Sequence, residues 1–135
     1  MKRTVIAIII SAVVSILPAS AQTRQLSLIH FNDTHSHIEP ERAGDEMGNG
    51  GVIERAAYID SVRRVDGKRN VLLLHGGDFG QGTPYFTEFG GDIEVALHNA
   101  LGYDATTLGN HEFDNGLDEL ARRLGNLKAK VVCAN

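Results

Sequence analysis

The stretch that decides the fold is VLLLHGGD at residues 71–78, an apolar run that is followed by two glycines and an aspartate. A short continuous apolar run is typical of a strand buried in a parallel sheet. Two more runs, Leu26–Phe31 and Ala105–Leu108, are predicted strands of the same kind, and a fourth strand is predicted to start at Val131–Cys133.

Helical patterns lie between these strands. The predicted helices are Gly51–Val65, a helix from an Asp92 N-cap to Leu101, and a helix through Leu117–Leu124. The apolar stripes expected to face the core are Val52, Ala56, Ile59 and Val62; Ile93, Ala96, Leu97 and Ala100; and Leu117, Leu120, Ala121 and Leu124. This alternation predicts an α/β fold with about four parallel strands and right-handed crossover helices.

The first 21 residues have a different character from the rest of the chain. Two basic residues precede the apolar run Val5–Leu17, and Pro18-Ala19-Ser20-Ala21 follows with small residues spaced A-x-A. This pattern predicts a signal peptide at residues 1–21, cleaved after Ala21, and hence a periplasmic or secreted protein. The alternative is a membrane helix, but a run of 13 residues is shorter than the roughly 20 that span a bilayer.

The charge and the cysteine content of residues 22–135 exclude some classes of partner and an internal disulfide. Without Lys2 and Arg3, 11 of the 13 basic residues remain against 17 acidic ones, which gives a net charge of −6. An acidic surface argues against nucleic-acid polymers and anionic membranes as partners. Cys133 is the single cysteine, so no internal disulfide can form, and its apolar neighbours predict a buried structural thiol.

Polar residues follow each of the first three predicted strands, as Asp33-Thr34-His35, Gly77-Asp78 and the stretch from Gly109 to Glu112. Because ligands bind at the carboxyl ends of parallel strands, we expect the three loops to meet. Their two Asp, two His and one Asn are donors that suit hard to borderline metal ions. Each motif alone also fits an ordinary polar loop or turn cap, but their order favours a metal site.

The spacing within each motif has a chemical meaning. In an extended segment, residues i and i+2 point to the same side, so Asp33 and His35 can share one ion. The two oxygens of Asp78 can bridge two cations, the arrangement that neutralises a phosphoryl group. His111 can donate a proton to a leaving oxygen if Asp114 orients its ring.

These motifs together resemble those of the calcineurin-like metallophosphoesterases. The residues around the motifs resemble the bacterial 5′-nucleotidase branch of that family. The matching segments are residues 30–37, 50–51, 80–84, 102–105 and 109–114, within a resemblance that covers nearly all of residues 26–135. The resemblance implies part of an αββα sandwich. It also implies hydrolysis of phosphate esters, above all nucleoside 5′-monophosphates or related nucleotides, with two divalent ions of the Mn, Zn or Fe type.

The resemblance also implies a role for each site residue. Asp33 and His35 would bind the first metal ion, Asp78 would bridge both ions, and Asn110 would bind the second. His111 would be the catalytic histidine, paired with Asp114, and Asn110 and His111 would contact the substrate. Outside this set, Glu112 is expected to be a hydrogen-bonding partner, His30 and His75 packing or polar-edge residues, and His98 a surface residue.

Members of this family take further histidine or glutamine ligands from loops downstream of the fourth strand, and residues 115–135 contain no histidine. We therefore expect residues 22–135 to be the truncated N-terminal part of a catalytic domain. The alternatives are a non-catalytic fragment, or one half of a split enzyme that pairs with a separately encoded C-terminal half.

Overall fold

The computed structural model describes residues 23–134, so the predicted signal peptide lies outside the described residues. Four parallel strands form one sheet in the order β1-β2-β3-β4. The strands are β1 (Ser27–Phe31), β2 (Val71–His75), β3 (Ala105–Thr106) and β4 (Lys130–Val131). The helices are α1 (Gly51–Asp66), α2 (Pro84–Phe89), α3 (Asp92–Leu101) and α4 (Gly116–Asn126). The predicted α/β fold with four parallel strands is confirmed.

The core lies between the sheet and the helices α1 and α3. Leu73 of β2 is fully buried, and it shares one apolar cluster with Ile29 of β1, Ile59 of α1 and Leu101 of α3. Successive strand residues point to opposite faces, and Leu28, on the other face of β1, is 60% exposed. The predicted inward stripe of α1 is confirmed, since Val52 and Ile59 are buried and Ala56 and Val62 pack against the cluster.

The predicted inward stripe of α3 is correct at Leu97, which packs against the core cluster, and wrong at its two alanines. Glu94, Val95, His98 and Leu101 are the buried residues of this helix, whereas Ala96 and Ala100 are exposed. His98 is only 5% exposed, so its prediction as a surface residue is also wrong. The helix turns two polar side chains inward because they face other polar groups across a small buried cavity, which an apolar pattern does not indicate.

Helix α4 shows the same kind of departure from its apolar pattern. Its buried residues are Leu120 and Arg123, whereas Leu117 is 70% exposed and Ala121 is exposed too. Arg123 turns inward because its guanidinium donates to the Glu112 carbonyl oxygen, at a nitrogen to oxygen distance of 2.6 Å.

Three smaller predictions need correction. Gly91, with φ 93°, is the N-cap of α3, and Asp92 is the first helical residue rather than the cap. Residues 84–89, outside the three predicted helices, form the short helix α2, which has Pro84 in its first turn. Cys133 is exposed, not buried, since it lies beyond the end of β4. Between residues 23 and 134, every helix is too short or too polar to cross a membrane.

Candidate metal centre

Three loops leave the carboxyl ends of β1, β2 and β3, and we name them loop A (residues 32–37), loop B (residues 76–83) and loop C (residues 107–115). Loops A and B run side by side through backbone hydrogen bonds. The amides of Asp33, His35 and Ser36 donate to the carbonyl oxygens of Gly77, Asp78 and Phe79 at 3.0, 3.1 and 3.0 Å. Loops A and B therefore lie together, as predicted, and their backbones are in direct contact.

The candidate ligands have an unusual backbone conformation. Asp33, His35 and Asp78 have φ values of 51°, 41° and 53°, in the left-handed region that residues other than glycine seldom adopt. Such a conformation costs about 1 kcal/mol or more per residue and persists where surrounding contacts enforce it. The backbone hydrogen bonds between loops A and B hold this conformation, so they fix the positions from which the three side chains extend.

Glycine allows loops B and C to approach closely. A Cβ atom on Gly77 would lie 2.5 Å from the amide nitrogen of Gly109, and one on Gly109 would overlap the Asp78 carboxylate. Both positions therefore require the absence of a side chain. The contact places loop C directly against the central candidate ligand.

Asp33, His35 and Asp78 form one group of possible metal ligands. One ligand atom from each lies within 4.8 Å of the others, and His35 Nε2 is 3.7 Å from Asp33 Oδ1. Asp33 is exposed, and the other two are half-buried. Two carboxylates and an imidazole suit Mn²⁺, Zn²⁺ or Fe²⁺, so these residues fit the ions that the family resemblance implies.

His111 joins loop C to this group. Its amide donates to Asp78 Oδ1 at 2.9 Å, and its ring centroid lies 5.2 Å from that of His35. Asn110, which precedes it, is exposed at the start of a 3-10 turn, His111–Phe113. The predicted pair with Asp114 forms, with His111 Nδ1 2.8 Å from Asp114 Oδ2. That hydrogen bond raises the pKa of His111 above its usual value, and the nearby carboxylates add to the effect.

Glu112 holds loops B and C together from inside the protein. Its side chain is fully buried, and its two carboxylate oxygens accept hydrogen bonds from four backbone amides. The donors are Asp78 at 2.8 Å, Phe79 at 2.9 Å, Gly80 at 3.2 Å and Gly109 at 2.6 Å. Its expected role as a hydrogen-bonding partner is confirmed.

Two residues that support the loops were missed or understated from the sequence. Arg123 of α4 donates to the Glu112 carbonyl oxygen and lies 5.7 Å from the Phe86 ring centroid. His75 is buried, and its Nε2 lies 3.2 Å from Thr34 Oγ1 of loop A. Burial lowers the pKa of His75 to about 3, so its ring is neutral at pH 7. The sequence did contain a signal for Arg123, because it lies three residues after Leu120 and therefore on the same face of α4.

The family model for calcineurin-like phosphoesterases matches residues 26–134. This chain therefore belongs to the calcineurin-like phosphoesterase family, whose 5′-nucleotidases are its relatives.

Individual relatives sharpen this assignment. A probable 5′-nucleotidase from Treponema pallidum is 41% identical over 125 residues, which are 88% of this chain and 21% of the relative. The structure of NAD nucleotidase from Haemophilus influenzae matches with 39% identity and a TM-score of 0.73, over 82% of this chain and 20% of that one. A 5′-nucleotidase precursor from Thermus thermophilus matches with 43% identity and a TM-score of 0.72, over 82% of this chain and 22% of that one. The chain thus spans about a fifth of the length of the curated relatives it matches.

Proposed function

We propose that this protein is an exported, metal-dependent phosphoesterase that hydrolyses nucleoside 5′-monophosphates or related nucleotides. The observation that carries the proposal is the meeting of Asp33, His35 and Asp78 next to the His111–Asp114 pair. The relatives named as 5′-nucleotidases and NAD 5′-nucleotidase support nucleotides as the substrate class. The signal-peptide pattern of residues 1–21 supports export.

The candidate ligands would serve two divalent ions. Asp33 and His35 would hold the first ion, Asn110 would hold the second, and Asp78 would contribute to both. When bound, a pair of such ions neutralises phosphoryl charge and lowers the pKa of water to near neutrality. Four residues are fewer donors than two ions need, so water, substrate or residues outside 23–134 would complete the coordination.

His111 would act on the phosphoryl group or on the leaving oxygen. Asp114 accepts the hydrogen bond from His111 Nδ1 and favours the protonated ring. Nε2 of that imidazolium is then a proton donor, which is the role that a general acid needs. The amide of His111 donates to Asp78 Oδ1, so the same residue also fixes the distance between the acid and the candidate metal ligands.

Phosphate release from AMP, measured with Mn²⁺ and the full-length protein, tests this proposal. His111→Asn should reduce phosphate release by about 10²-fold to 10⁴-fold, the usual contribution of a general acid. His30→Gln is the matched control because His30 is an exposed histidine with no ligand or catalytic role in this proposal. This variant should release phosphate at the wild-type rate. Equal rates for wild type and His111→Asn would contradict the role of His111.

The same assay tests the substrate class. Phosphate release from AMP should exceed that from glycerol phosphate, since only the first offers a nucleoside for recognition. Wild-type protein that releases phosphate equally from both would still be a phosphoesterase, and the nucleotide assignment would then be wrong.

A further inference from the structure

A small cavity lies beneath loop A, on the side of the helices, and we call it the buried cavity. Its polar lining comes from four elements of the fold. The residues that supply it are Thr34, Ser36, Arg55, Glu94, His98 and Tyr103. The space open to the centre of a water molecule is about 20 Å³. A site needs roughly 10–15 Å³ of such space to hold one water molecule.

Several polar atoms that face this cavity lack a hydrogen-bonding partner among residues 23–134. They are Ser36 Oγ, both carboxyl oxygens of Glu94, His98 Nε2 and the Tyr103 hydroxyl. Each of the four residues is at most 5% exposed, so bulk solvent cannot satisfy them. Buried polar groups in folded proteins are almost always hydrogen-bonded, and five such atoms around one space indicate an occupant.

The donor and acceptor count identifies that occupant. His98 donates to the backbone of Glu94, and burial lowers its pKa to about 4, so Nε2 of the neutral ring is an acceptor. With the two oxygens of Glu94, three acceptors around the cavity lack a partner, against two hydroxyl donors without one, those of Ser36 and Tyr103. One water molecule brings two further donors and accepts as well.

The charges around the cavity favour a neutral occupant over a cation. Arg55 lines the same space as Glu94, and its guanidinium donates to the carbonyl oxygens of Gly51 and His37 at 3.3 and 3.1 Å. Its positive charge acts on the same space, since it helps to lower the pKa of His98. A cation in this space would be repelled by Arg55, whereas a water molecule would not.

We infer that the buried cavity is a binding site for one water molecule, which links Glu94 and His98 of α3 to Ser36 of loop A. Ser36 directly follows His35, and its backbone already holds loop B through the amide hydrogen bond to Phe79. The water would therefore connect a core helix to the loop that carries Asp33 and His35. This inference does not depend on the proposed function, because it concerns the metal-free protein.

A crystal structure of the metal-free, full-length protein at high resolution tests the inference. We expect one spherical density peak at about 2.6–3.2 Å from at least three of the four groups. An empty cavity, a direct Arg55–Glu94 ion pair that fills it, or a cation with an anomalous signal would each overturn the inference.

A double-mutant cycle in solution provides a second test that does not need crystals. Ser36→Ala and Tyr103→Phe should each raise the unfolding equilibrium constant by roughly 5-fold to 10-fold, since each removes a partner of the water. The double variant should be at least about 3-fold more stable than the product of the two effects, because both changes act on one shared molecule. Thr87→Val and Tyr58→Phe, at exposed positions on two different helices, are the matched controls and should show no coupling. Full additivity at Ser36 and Tyr103 would overturn the link.

Discussion

Two buried glutamates of this protein solve the same physical problem in opposite ways. Glu112, which is 0% exposed, accepts hydrogen bonds from four backbone amides of loops B and C. Glu94, which is 4% exposed, has no side-chain partner among the described residues. Burial of a carboxyl group is costly unless hydrogen bonds compensate for it. The comparison teaches that the loops with the candidate metal ligands are held by protein atoms, while α3 depends on the contents of a cavity.

The same isosteric change at both glutamates tests this difference most strongly. Glu112→Gln replaces one acceptor oxygen with an NH₂ group that faces backbone N–H donors, so we expect the free energy of unfolding to fall by about 3–5 kcal/mol. Glu94→Gln should lower it by about 1 kcal/mol or less, since a water molecule can turn to accept from the amide. Urea unfolding measures both values.

Glu88→Gln, on an exposed face of α2, is the control for this pair and should change stability by less than about 0.5 kcal/mol. Equal losses at Glu112 and Glu94 would show that the two sites do not differ in the way proposed.

A second prediction concerns the contact between loops B and C. Gly109→Ala would place a methyl group on the Asp78 carboxylate, so we expect a loss of about 2 kcal/mol from overpacking. Gly125→Ala is the matched control, because Gly125 lies in α4 with nothing within 4 Å of its added Cβ. That control should instead stabilise the protein by up to about 1 kcal/mol. Thermal unfolding of the two variants would contradict the close-contact account if both changes proved neutral.

The helix side of the comparison predicts a dependence of stability on pH. Burial lowers the pKa of His98 to about 4 from an ordinary value of 6.5. Between those values the unfolded chain binds the proton and the folded protein does not, so stability falls as the pH decreases from 6.5 towards 4. His98 alone should cost about 2 kcal/mol between pH 7 and pH 5. Urea unfolding at several pH values should show a shallower slope for His98→Asn than for the wild type, and equal slopes would contradict the buried neutral ring.

The smallest expected effect lies at the exposed edge of the site. Asp114→Asn removes the main cause of the raised pKa of His111, so the NMR titration midpoint of that ring should move to lower pH. Stability should change little, because Asp114 is exposed. An unchanged midpoint would show that Asp114 does not control the protonation of His111.

The sequence was most informative about the sheet and the loops at its edge. Apolar runs predicted four parallel strands, and the strand-end rule placed Asp33, His35 and Asp78 on loops that do meet. Strand ends were predicted less well, since β3 ends at Thr106 rather than Leu108, where the chain turns into loop C.

The interior faces of α3 and α4 could not be predicted from apolar periodicity. Glu94, His98 and Arg123 are buried because each faces polar groups from distant parts of the chain. A hydrophobic pattern assigns polar residues to the solvent side. It therefore predicted that these three side chains are exposed. Only the three-dimensional structure shows that Arg123 contacts Glu112 and that Glu94 and His98 line the buried cavity.

Mn²⁺ binding to the full-length protein, followed by electron paramagnetic resonance, tests the central claim most directly. Wild-type protein should bind Mn²⁺, and Asp78→Asn should weaken that binding by at least about tenfold, because Asp78 is the carboxylate common to the loops that meet. Asp118→Asn, in the exposed first turn of α4, is the control and should bind as the wild type does. Equal Mn²⁺ affinity in wild type and Asp78→Asn would contradict a metal centre at these loops.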